Sequence, residues 1–127
     1  MNTFICQSIE YLFAHLCKLD ESGNIVPKSY FEFKELASKE KISFSEKSKN
    51  QSGNIVYEQT LTIKLNADNT LLKDLTSSQL ILKLQKTDGS FFTWGTLEPY
   101  NPVQVEINSE NGLTEISFYR ENCFAEL

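Results

Sequence analysis

Cysteine, histidine and proline are scarce in this chain, and each shortage narrows what it can be. The 127 residues include 3 Cys, 1 His and 3 Pro. Cys6, Cys17 and Cys123 are odd in number and form no Cys-x-x-Cys pair, which argues against the disulfide framework of a small secreted domain. Reduced, buried thiols are the expectation. A structural zinc site draws four ligands, usually in close pairs. His15 with Cys17 supplies one pair and no second follows, so neither a metal nor another cofactor is expected. Long apolar runs are also missing, so no segment is expected to span a bilayer. The opening Met1-Asn2-Thr3-Phe4 lacks a basic region, and His15, Lys18 and Asp20 interrupt the apolar stretch behind it, unlike a signal peptide. Ser52-Gly53-Asn54 and Asp88-Gly89-Ser90 are isolated turns without the Gly-Lys-Ser/Thr of a phosphate loop. Positive charge is not in excess: the formal net charge is −5. Binding to nucleic-acid phosphates needs a basic patch, so no nucleic-acid partner is expected, sequence-specific or otherwise.

What is present suits one β domain spanning residues 1–127. Hydrophobic residues make up 40% and aromatics 12%, enough to fill one core at this length. The aromatics are 9 Phe, 5 Tyr and 1 Trp, side chains that fit a pleated, half-buried surface.

The segment Phe4 to Leu16 reads two ways. Ile5, Ile9, Leu12, Phe13 and Leu16 make a helical stripe, while Ile5, Ile9, Tyr11 and Phe13 alternate as a strand would. Its aromatic and β-branched content favours the strand. Asp20 to Asn24 is a turn, Tyr30 to Lys34 a short strand, and Ile42 to Ser45 another. The Lys-, Ser- and Asn-rich stretch at about 46–54 reads as an exposed loop. From Ile55 to Leu65, Ile55, Tyr57, Leu61, Ile63 and Leu65 share one face and Glu58, Thr60, Thr62 and Lys64 the other. A short helix follows at about 70–77, capped by Asp68 or Asn69, with Leu71, Leu72 and Leu75 as its stripe. Leu80, Leu82 and Leu84 alternate into Asp88-Gly89, the strongest hairpin signal of the chain, and Phe91 to Trp94 returns. Pro99 and Pro102 mark an irregular crossing before a last hairpin, Val103 to Ile107 and Leu113 to Arg120. The fold class predicted is mainly β, an antiparallel β-barrel or sandwich with one short flanking α-helix.

Chemistry is harder to place. A Cys nucleophile with His15 as base, or paired carboxylates such as Asp20 with Glu21, needs a geometry that no spacing here supplies, and the chain is read as non-enzymatic. Phe92, Trp94 and Tyr100 cluster beside Gly95, and Phe124 and Leu127 form an apolar tail. All five are candidate subunit contacts, because aromatic anchors bring large rigid area at small entropy cost.

The order of features from Asn54 to Phe118 resembles that of small β-rich tail and neck structural proteins of phages and prophages of Bacteroidetes hosts. The strand Ile55 to Ile63 precedes the Leu-rich helix around Leu71-Leu72-Lys73-Asp74-Leu75. Leu80-Ile81-Leu82-Lys83-Leu84, Thr87-Asp88-Gly89, an aromatic strand with Trp94-Gly95-Thr96, the proline segment and a closing hairpin follow. Gln7 to Tyr11 looks like the first strand of those proteins, whereas Phe31 to Lys49 and Cys123 to Leu127 match nothing in them. The resemblance implies a virion subunit, made in the host cytoplasm, that performs no reaction. It would pack with copies of itself in a ring, as a tail-tube, tail-terminator or head-tail connector component, and meet other virion proteins. Ring closure needs a heterologous interface, and edge-strand pairing is one way to make it. The competing expectation is a monomeric β-barrel that binds a small apolar ligand among its aromatics.

Overall fold

The computed structural model describes residues 2–36, 42–66, 68–110 and 113–122. β1 (Asn2–Phe13) runs into a single 3-10 turn (Ala14–Leu16), so the ambiguous first segment is a strand up to Phe13. A small antiparallel pair, β2 (Cys17–Leu19) and β3 (Ile25–Pro27), follows, and then β4 (Lys34–Leu36). The short strand expected at Tyr30 to Lys34 therefore starts only at Lys34. Tyr30 sits at φ 73, a left-handed conformation that no strand contains.

β5 (Ile42–Gln51) and β6 (Asn54–Leu65) form a long hairpin. The loop expected at about 46–54 is corrected by this finding: only Ser52 and Gly53 turn. Their φ values of 54 and 86 suit a two-residue turn of the mirror-image type, and the Asn50 side chain accepts the Gly53 N–H at 3.1 Å. Composition misleads here because Lys, Ser and Asn are poor strand formers, while the ladder and ion pairs decide. Lys49 reaches Glu58 at 2.8 Å and Glu121 at 3.0 Å. Those hydrogen bonds hold the ammonium protonated well above its ordinary range, and they hold the Glu121 carboxyl below its own.

α1 (Asn69–Ser77) begins where expected, with the Asp68 carboxylate accepting the Leu71 N–H at 2.8 Å. β7 (Leu80–Lys86), β8 (Phe91–Trp94), β9 (Gln104–Glu110) and β10 (Leu113–Asn122) follow. No helix among the described residues is long and apolar enough to cross a membrane.

One antiparallel sheet takes the order β8-β7-β1-β5-β6-β10-β9, with β4 also paired to β1. Among the described residues the protein is thus mainly β with one short helix, as the periodicities predict, but the sheet is open and not a closed barrel. It is strongly curled. Trp94 on β8 and Gln59 on β6 are four strand steps apart, about 19 Å in a flat sheet at the usual spacing, yet their side chains are 2.8 Å apart. Inside the curl lie Ile9, Phe44, Leu61, Leu82, Trp94 and Phe118, with Leu75 of α1 added to them. Six antiparallel steps separate β8 from β9, so the two run in the same direction and could meet only as a parallel pair. Side chains bridge that end of the sheet. Arg120 donates from Nε to the Asn101 carbonyl at 3.1 Å and from Nη1 to the Gly95 carbonyl at 3.3 Å, and the Asn101 amide donates to the Glu121 carbonyl.

The outer face of the sheet has its own, smaller core. Leu12 and Ile81 pack there with Ala14 and Cys17, flanked by Leu16, Ile25, Phe33 and Leu97. This explains the unbroken Leu80-Ile81-Leu82 run, since a strand covered on both faces loses its alternation.

Candidate functional site

The expected contact residues part company in the structure. Trp94 is 0% exposed and faces the interior, its ring edge-on to Phe44 at 5.2 Å between centroids. A subunit contact through Trp94 is therefore corrected: the position falls on the inner parity of β8, opposite Leu82. Phe92 is half-buried and also meets the Phe44 ring, at 5.6 Å. Tyr100 stands 75% exposed on the β8–β9 connection. Phe124 and Leu127 lie outside the described residues.

The surface aromatics that sequence reasoning misses lie on the outer face beside β8. In β7 and β8, Lys83 pairs with Thr93 and Gln85 with Phe91, so these four share the outer face. Phe91 is 52% exposed. The Lys83 ammonium lies 4.7 Å from the centre of its ring and 5.7 Å from that of Phe33, a cation held over two aromatic faces. Phe31 and the fully exposed Tyr30 continue this surface. Two shallow concavities of about 380 and 400 Å³ flank it, the first lined by Tyr11, Leu12, Leu16 and Phe31 among others, the second by Glu10, Pro27, Phe33 and Lys83 among others. The signal available in the sequence is the parity of Phe91, opposite to that of Trp94 in the strand that follows the Asp-Gly turn.

Tyr30 is the strained member. A left-handed backbone costs an L-residue on the order of 1–2 kcal/mol, and an exposed ring returns no packing for it. Tyr30→Gly is expected to raise the unfolding free energy by about 0.5–1 kcal/mol, the relieved strain less the added freedom of the unfolded chain. Urea denaturation checks this, and a loss of stability would mean that the ring packs on its own domain.

At the opposite end of the sheet, β9 offers a contrasting border. Seven residues pair regularly with β10 without a bulge. Gln104, Glu106 and Asn108 are exposed, Val105 and Ile107 partly buried, and β9 carries no cation.

The candidate chemical groups do not converge. His15 is exposed and stacks on Phe13 at 5.6 Å, while Cys17 is buried in the outer core. Cys6 and Cys17 are free and buried, and Cys123 lies outside the described residues. Burial pushes the Cys6 thiol from an ordinary 9.0 up to about 11, against the pull of Lys86. Cys17 is raised by burial too, opposed by Lys28. Both thiols are thereby kept protonated at neutral pH. Among the described residues no group of three or more His, Cys, Asp or Glu could hold a metal ion.

No protein-family model, curated protein or solved structure matches the chain.

Proposed function

We propose that this protein is a non-enzymatic structural subunit that acts by homo-oligomeric self-assembly. The observation that carries this reading is the open sheet. Among the described residues β8 and β9 each have a strand on one side only, so each leaves a row of backbone donors and acceptors for another chain. The exposed aromatic surface at the β8 end supplies apolar area beside that row. The resemblance of Asn54 to Phe118 to tail and neck proteins supports a phage or prophage particle as its setting, with the chain as a tail-tube, tail-terminator or connector-ring component. Copies of itself and other virion proteins are then its partners.

Sedimentation of the purified chain over a wide concentration range tests the reading. Mass that rises with concentration, with rings visible by electron microscopy, is the expected result. A chain that stays monomeric throughout would overturn it.

The pocket beside Leu12 and Phe31 favours a second reading, a binding module for a small apolar ligand. The site then lies outside the curl, since Phe44, Trp94 and Phe118 fill the inside by packing on one another. Saturable binding of an apolar dye, abolished by Leu16→Glu, would support that reading over self-assembly.

A further inference from the structure

The free border of β9 is complementary to itself. At the Ser52-Gly53 turn, Gln51 and Asn54 close the hairpin as a hydrogen-bonded pair, and the pairing alternates from there through β6 and β10 without a bulge. Followed to the edge, this alternation turns the N–H and C=O groups of Val105, Ile107 and Ser109 away from β10. Among the described residues no strand lies on that side. Gln104, Glu106, Asn108 and Ser109 are exposed, while Val105 and Ile107 lean on the inner core. Within the chain Asn108 stands opposite Glu115, which has Lys64 of β6 opposite it on its other side. Glu106 has no such cation: its row across the sheet is Ser117, Thr62 and Ser43.

We propose that the partner of β9 is β9 of a second copy, paired antiparallel about a two-fold axis at Ile107, with Glu106 of each copy facing Asn108 of the other. This rests on the self-assembly reading above and specifies one of its contacts. Three features argue for a copy of the chain as the occupant. First, the outward backbone groups are spaced evenly about Ile107. Pairing Ile107 with Ile107 and Val105 with Ser109 uses all of them in one ladder of about six hydrogen bonds. Second, the same register sets Glu106 opposite Asn108 on both sides of the axis. These are non-hydrogen-bonded sites, where facing side chains come closest, and each carboxylate meets a carboxamide that can donate to it. Third, the neighbouring registers are worse. An axis at Glu106 sets that carboxylate against its own copy, an axis at Asn108 sets amide against amide, and both use less than the 7 residues of β9. The two sheets then continue into one, with the inner faces on the same side. A two-fold contact stops at the pair, so a ring would carry a second, head-to-tail interface elsewhere.

Exchange of the facing residues tests the pairing. Asn108→Glu places carboxylate against carboxylate on both sides of the axis and is expected to weaken self-association on the order of tenfold, read by sedimentation at low salt. Adding Glu106→Asn to it swaps the two residues, so each carboxylate again meets an amide, and association recovers. Ser109→Pro removes an outward N–H that β10 does not use, so association weakens while circular dichroism and thermal melting show the fold kept. Position is read by cross-linking. Under mild oxidation Ile107→Cys, on the axis, is expected to link to its own copy, whereas Val105→Cys, whose partner is Ser109, is not. If Asn108→Glu associates as tightly as wild type, the swap fails to recover, or Val105→Cys links as readily as Ile107→Cys, the β9 pairing is overturned while self-assembly stands. A wild-type chain that never associates overturns both.

Discussion

Trp94→Ala is expected to lower the unfolding free energy by about 3–5 kcal/mol, the usual range for emptying a fully buried large aromatic position. Few positions in the molecule join so many layers. The ring lies edge-on to Phe44 of β5, its indole N–H donates to Gln59 of β6, and its own strand lies at the far edge of the sheet. Removing it takes away the side chain that draws the β7–β8 hairpin over the sheet interior. Trp94→Phe keeps a six-membered ring in place and loses the donor with the rest of the indole, so about 1–3 kcal/mol is expected. Chemical denaturation followed by far-ultraviolet circular dichroism measures both. Equal losses for the two variants would mean that the hydrogen bond, and not the ring packing, fixes the curl.

The second large effect concerns the acceptor of that bond. Gln59 is 0% exposed and Glu46 3%, and they face each other across the β5–β6 ladder. Gln59 accepts from Trp94 through Oε1 and donates through Nε2 to a Glu46 carboxylate oxygen, both at 2.8 Å. Gln59→Leu removes both bonds at once and is expected to cost about 2–4 kcal/mol, since a buried carboxylate and a buried indole N–H each lose this partner. Because the chain has 1 Trp, its fluorescence reports the loss of the contact directly. Adding Glu46→Leu to Gln59→Leu replaces both polar partners by apolar groups of similar shape and is expected to recover part of the loss. The coupling energy from the double-mutant cycle decides the point. A strictly additive result would show that the two side chains stabilise the fold independently.

These three side chains also show where the sequence is readable. Alternation places Leu61, Ile63, Leu82 and Leu84 inside without help from tertiary structure, and the Asp-Gly turn and the Asp68 cap mark two boundaries. Glu46 and Gln59 occupy inward parities as well, continuing Ile42-Phe44 and preceding Leu61-Ile63. As polar residues they break the pattern, so composition reads the strand beyond Ser45 as a loop. Inside, Gln59 bonds both Glu46 and the indole N–H of Trp94, which comes from a strand far along the chain and is invisible to any local window. The relation between the two borders of the sheet is equally non-local. Periodicity assigns faces to strands, but the directions of β8 and β9 follow only from the full strand order. At the candidate surface, Phe92, Trp94 and Tyr100 stand out in the sequence because they are neighbours along the chain. The side chains that gather in space are Phe31, Phe33, Lys83 and Phe91, brought together by cross-strand register and by a segment folded over the outer face.

The position of β1 in the sheet bears on how the chain reaches its native state. This strand is a central member, and its longest ladder is to β7, with Leu12 opposite Ile81. On a ribosome, β1 emerges well before the residues that hydrogen-bond to it. Its apolar side chains must wait, unsatisfied, while the β5–β6 hairpin is free to form from local contacts alone. Refolding is therefore expected to be slow for a domain of this size, with the hairpin structured early and the central ladder closing last.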